Sequence, residues 1–205
     1  MRNLKCVAAV LALLSLGWSL PAEAGKFSPT RFKKGSYDFG FQLGYGAGLN
    51  IPSGPDRTDV QFGFFAPNFK YDLLGNIGQS FYQGNLYFVS EIDFIFTHHP
   101  ATGYLIGGSP ILQYKFIKPK KRKWAPTILA GIGFANTDLD KKSVADREIS
   151  GNFQFLIHFG LGLEFFKSDR GSISLNYRYF HISNAGIESP NIGLNTNVFT
   201  LGFSF

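Results

Sequence analysis

Past its sixth residue this chain has no cysteine, and its single methionine is residue 1. Disulfide staples are therefore excluded, and stability has to come from a sheet or a packed core. Beyond residue 24 no segment holds the roughly 18 consecutive apolar residues that a membrane-crossing helix needs, so helical spans are excluded too. Charged residues make up only 17% of the chain, which leaves little for an acidic or basic binding tail. No glycine loop of the phosphate-cradling kind is present, because the glycines alternate with aromatics. His98-His99 has no Cys, Asp or Glu at ligand spacing around it, so no metal is expected, and no soluble cofactor is implied.

The one long apolar run lies at the start. Arg2 and Lys5 precede it, Cys6 to Leu20 form it, and Ala22-Glu23-Ala24 closes it with the small-x-small pattern that signal peptidase accepts. Cys6 precedes the run instead of following it, which argues against a lipoprotein anchor. The expected division is a signal peptide over 1–24 and one domain over 25–205. Losing Arg2, Lys5 and Glu23 lowers the net charge from +6 to +5. Much of that excess sits in Lys118-Pro-Lys-Lys-Arg-Lys123. The run has no interleaved aromatics, so it reads as a solvated turn near anionic headgroups and not as a nucleic-acid site.

What the chain has in quantity is phenylalanine, 23 residues, and glycine, 24. They fall into segments with a period of two, the signature of strands. Eight are expected: Tyr37–Leu49, Asp59–Phe69, Asn85–Thr97, Tyr104–Ile117, Trp124–Asn136, Asn152–Phe166, Ile173–Asn184 and Asn195–Phe205. Ile51–Arg57, the Lys118–Lys123 run and Lys167–Gly171 read as turns, Thr137–Gly151 as a charged loop, and Leu73–Gly84 as a glycine-rich connection. Pro110 interrupts the fourth strand, where a bulge is the expected accommodation.

In nearly every strand one face is aromatic or aliphatic. Phe153, Phe155, Ile157, Phe159, Leu161, Leu163 and Phe165 oppose Asn152, Gln154, His158 and Glu164. Val60, Phe62, Phe64 and Ala66 form the corresponding face of the second strand. A sandwich would overload its core with phenylalanine, whereas an all-β, eight-stranded antiparallel transmembrane β-barrel with a small polar interior accommodates both faces. His158 is expected in that interior with Glu164 and Arg178. The closing Phe199-Thr-Leu-Gly-Phe-Ser-Phe205 is similar to the insertion signal of bacterial outer-membrane barrels, so the bacterial outer membrane is the expected location. With both mature termini in the periplasm, the loops after the odd strands are external.

The seventh strand then becomes the point of chemical interest. Ile173, Leu175, Tyr177, Tyr179, His181 and Ser183 share the lipid face, so an imidazole and a hydroxyl stand two residues apart at the outer-leaflet end. Such neighbours have Cα atoms about 6.5–7 Å apart and can touch, and serine needs a base within reach to become a nucleophile. A hairpin centred near Glu188 sets His181 opposite Asn195 and Ser183 opposite Gly193, with Phe155 and Ile157 on the other flank.

His181-Ile-Ser183-Asn184-Ala185-Gly186, followed by Pro190-Asn191-x-Gly193, resembles the signature of the PagL-type lipid A 3-O-deacylases, eight-stranded outer-membrane barrels. The resemblance implies an esterase that removes the 3-O-linked acyl chain from lipid A of lipopolysaccharide. It implies Ser183 as nucleophile, His181 as general base, and Asn184 with the amide near Gly186 as oxyanion donors. The family's acidic residue falls at 195, where this chain has asparagine. Reduced activity, or compensation by Glu188, Asp146 or Glu148, is then expected. The alternatives are a catalytically silent barrel with a structural or surface-binding role, and an esterase acting on another lipid acyl ester. The residues leave open whether the barrel is a monomer or a homodimer.

Overall fold

The computed structural model describes residues 31–50, 58–117, 123–140, 148–168 and 171–205. The expected leader at 1–24, the turn at 51–57, most of the basic run, Asp146 and residues 169–170 lie outside them. Eight strands follow one another around a closed antiparallel barrel: β1 Tyr37–Gly48, β2 Gln61–Ile77, β3 Gly84–His99, β4 Gly103–Lys115, β5 Trp124–Thr137, β6 Phe153–Phe166, β7 Ser172–Ser183 and β8 Leu194–Ser204. Closure is made by β1 against β8, from Gly40 opposite Ser204 to Gly48 opposite Thr196. Reciprocal bonds between Phe39 and Phe205 continue that seam, at 3.1 and 2.9 Å. Every strand is thus paired on both sides, which is what a lipid environment demands of backbone polar groups.

The outer wall is the apolar face read from the sequence on seven of the eight strands. Phe39, Leu43, Ile92, Ile132, Phe134, Phe159, Leu161 and Phe199 are all exposed, as they must be to meet hydrocarbon. The second strand is the exception. Val60, Phe62, Phe64 and Ala66 are buried inside the barrel, and Phe65 and Tyr71 face outward. Near its external end the outward positions are Gln61 and Gly63 and the inward ones are Phe62 and Phe64, so the greasier face there is the one that turns into the lumen.

The reason for the inversion is the filling of the lumen. At the external end Phe62, Phe64, Ile95, Leu105, Phe180 and Ile182 belong to one buried apolar cluster. A Cβ at Gly46 would strike the Phe62 ring, so the space is fully used. The expected polar interior occupies the remaining part. There Arg178 forms a two-pronged ion pair with Glu91, to which Gln42 also donates at 3.0 Å. Lys115 lies 2.8 Å from Glu164, and the Ser172 hydroxyl donates to the same carboxylate at 2.5 Å. His158 is buried but belongs to neither pair. It stacks on Phe180 with ring centroids 4.6 Å apart, and neither ring nitrogen has a hydrogen-bond partner among the described residues.

Two further expectations change. The stretch from Leu73 is not a free connection: β2 continues to Ile77, and after a short helical turn at Ser80–Tyr82, β3 begins at Gly84. Pro110 produces no bulge. It pairs with Ser90 in β3, and the ladder to β5 keeps one register from Gly108 opposite Phe134 to Ile111 opposite Gly131. The residues just ahead of β1 also have a structural role. Phe32 packs edge-on against Phe166 at 5.3 Å, and Arg31 donates to the carbonyls of Ser168 and Gly171 at 2.7 and 3.2 Å. The Arg31 guanidinium lies 3.8 Å from Glu164. Residues 31 and 32 therefore pack into the end of the barrel opposite the loop between β7 and β8.

Candidate active site

β7 and β8 are joined by ten residues, 184–193, and the shape of this loop follows from Asn184. Its Oδ1 accepts the Gly186 N–H at 2.9 Å, an Asx-type turn of the kind asparagine favours. The turn leaves Ala185 and Gly186 at positive φ, 56° and 81°. The two Asn184 Nδ2 hydrogens go to the carbonyls of Ser150 and Glu188, each at 2.9 Å. Its own N–H goes to Asn191 Oδ1 at 3.2 Å. Asn184 is only 2% exposed and serves as the hub that fastens this loop to the start of β6.

A second latch comes from the neighbouring loop. Glu148 is fully buried, and its carboxylate accepts the Thr58 N–H at 2.7 Å and the Thr58 hydroxyl at 3.0 Å. Its carbonyl accepts the Gly193 N–H at 2.8 Å. The external loops are thereby tied to one another around the first residue ahead of β8.

On this frame His181 pairs with Asn195 in β8 and with Ile157 in β6, while Ser183 pairs with Phe155, the register that the hairpin count expects. His181 Nδ1 lies 2.7 Å from Asn195 Oδ1. The Tyr179 hydroxyl donates to the same oxygen, also at 2.7 Å. Since a carboxamide oxygen can only accept, this arrangement places the imidazole proton on Nδ1 and leaves the Nε2 lone pair available. Ser183 is on the same face two residues on. Among the described residues no hydrogen bond joins it to His181, a common state of unliganded sites, where such bonds tighten only around substrate.

Gly193 completes the imidazole's seat. Its φ is +76°, and a Cβ there would fall on His181 Cε1. The sequence offered the glycine as part of a motif but not this role, which only the folded hairpin reveals. Tyr179 was likewise visible only as a member of the lipid face.

The remaining expected site residues are placed differently. The donors of Asn184 and Gly186 are already engaged, with Ser150, Glu188 and Asn184 Oδ1, so they first hold the loop's conformation. The Glu188 carboxylate lies against Gly151 at the start of β6, while Asn195 holds the His181 Nδ1 position. Glu148 spends its carboxylate on Thr58. His98 packs near the Tyr45 ring at 5.7 Å, and His99 lies 3.9 Å from Asp59. Along the outer wall beside the pair, Phe155, Ile157 and Phe159 form an exposed apolar track, with Tyr179 set 5.1 Å from Phe159 between ring centroids.

Fold and site together define an outer-membrane β-barrel with a serine and a histidine on its lipid-facing wall. The family model described as lipid A 3-O-deacylase (PagL) matches residues 44–204, and the chain belongs to that family. A curated relative, lipid A deacylase PagL of Bordetella bronchiseptica, is 42% identical over 78 residues, which is 38% of this chain and 40% of the relative. The match thus spans less than half of that relative's length. The crystal structure of the outer-membrane enzyme PagL superposes with a TM-score of 0.55 at 21% identity, covering 82% of this chain and 98% of that one. Neisserial surface protein A gives 0.50 at 12% identity, covering 82% and 94%. At these identities the structural likenesses speak for the barrel fold.

Proposed function

We propose that the protein is an outer-membrane esterase that removes the 3-O-linked acyl chain from lipid A. The observation that carries this reading is the 2.7 Å contact from His181 Nδ1 to Asn195 Oδ1 on the lipid face, with Ser183 two residues along the same strand. With Nδ1 protonated, His181 Nε2 takes the proton of the Ser183 hydroxyl as Oγ attacks the ester carbonyl. The imidazolium then returns that proton to the departing sugar oxygen as the carbon–oxygen bond breaks, leaving an acyl-serine. Water, deprotonated by the same Nε2, releases the fatty acid and restores the serine.

Location supports the substrate class. The pair sits at the external end of β7 among side chains that meet acyl chains, and the Phe155–Ile157–Phe159 track gives a chain an apolar bed. The oxyanion needs donors. For Asn184 and Gly186 to supply them, the loop must exchange bonds to Ser150, Glu188 and Asn184 for bonds to substrate. Asn195 orients the base but brings no full charge to the imidazolium, which is the observation favouring a silent barrel as the second reading.

Mass spectrometry of lipid A decides between them. Cells expressing the intact protein should lose one hydroxyacyl mass that cells expressing Ser183→Ala at equal outer-membrane level retain. The size of the loss identifies the ester. Unchanged lipid A in both, with the barrel folded, would leave the silent reading standing.

A further inference from the structure

We propose that Tyr179 is a positioning residue that locks the Asn195 carboxamide with its oxygen toward His181, and so sets which imidazole nitrogen acts as base. The inference rests on the Ser183–His181 reading above and adds to it.

An asparagine facing a histidine has an ambiguity that a carboxylate does not. With Oδ1 forward it accepts the Nδ1 proton, and Nε2 is left as the base. Rotated by half a turn it presents Nδ2, which donates to Nδ1 and drives the imidazole proton to Nε2, where it cannot accept a proton from serine. The two orientations are nearly equal in shape, so a third group must choose. Tyr179 is placed to do so: its hydroxyl and His181 Nδ1 converge on the one oxygen, each at 2.7 Å. A phenol is a better donor than acceptor, because its oxygen lone pair is delocalised into the ring. Turning Nδ2 toward it would exchange a good bond for a poor one. Tyr179 precedes His181 by two residues on the same strand face, and its ring lies tilted against Phe159 with centroids 5.1 Å apart, a contact that helps to seat it.

The test compares Tyr179→Phe with the parent and with the same change in an Asn195→Asp background, each variant refolded in detergent micelles with lipid A. Sheet circular dichroism and heat resistance confirm folding. In the asparagine background Tyr179→Phe should lower kcat by about tenfold with KM changed less than about twofold. The nitrogen-15 shifts of the His181 ring should move toward the Nε2-protonated tautomer. In the aspartate background, where no orientation can be lost, the ring should stay Nδ1-protonated after the same change. Parental kcat and tautomer in Tyr179→Phe would overturn the proposal, as would a fall in kcat with the tautomer unmoved. Ser183→Ala is run alongside: if it retains activity the catalytic reading itself fails, whereas an inactive Ser183→Ala beside an unaffected Tyr179→Phe removes only the role given to Tyr179.

Discussion

Gly193 and His181 share one space: the imidazole lies where a side chain at 193 would begin. The positive φ of Gly193 and its bond to the Glu148 carbonyl fix this approach. Gly193→Ala is therefore expected to displace the ring, and misplacement of about 1 Å costs on the order of 100-fold in rate. The barrel, whose ladders are untouched, should fold as before. Comparing single-turnover deacylation with heat resistance of the variant checks both halves of this expectation.

In the proposed mechanism Asn195 aligns the His181 imidazole without stabilising its charged form. Asn195→Asp adds a full negative charge at the same distance and should raise kcat by about tenfold or more, a fraction of the roughly 10⁴ that separates the two residues in a serine protease. Asn195→Ala should lower it below the parent. Rates on purified lipid A, with all three proteins at matched folded amounts, are the measurement.

Glu188 offers a sharp contrast. Its carboxylate sits by Gly151 and not at the imidazole, so Glu188→Gln should leave kcat within about twofold of the parent. A hundredfold loss would make it the acid that compensates for the asparagine at 195.

The interior ion pair should carry stability and not catalysis. Removing only one partner of a buried pair typically costs about 3–5 kcal/mol, because the other charge is left without compensation. Arg178→Met should therefore destabilise the barrel by about that much, and the double change with Glu91→Gln should recover part of it. Urea unfolding midpoints in lipid vesicles, followed by gel mobility, measure the difference.

Much of this architecture could be read from the chain. Strand number, the face of most strands, and the pairing of His181 with Asn195 followed from a period of two and one hairpin count. The second strand reads the wrong way round because its apolar run from Val60 to Ala66 fills the lumen while Gln61 and Gly63 face outward, and alternation shows which face is greasier but not where that face points. The stretch after Leu73 was lost for a related reason: its glycines and asparagines carry no pattern until β3 pairs with them. The loop residues were legible as chemistry but not as architecture. Asn184 has the donors an oxyanion needs, and only the fold shows those donors committed to Ser150 and Glu188. Tyr179 gave no separate signal, since its hydroxyl becomes meaningful through a partner 16 residues away.

The apolar cluster around Phe62 and Phe180 at one end of the lumen, and Arg31 with Phe32 at the other, bear on what can pass through the barrel. A lumen filled with side chains at both ends should conduct no ions, so planar bilayers holding the protein should show no added current. Steady channel openings would mean that this filling gives way in the membrane.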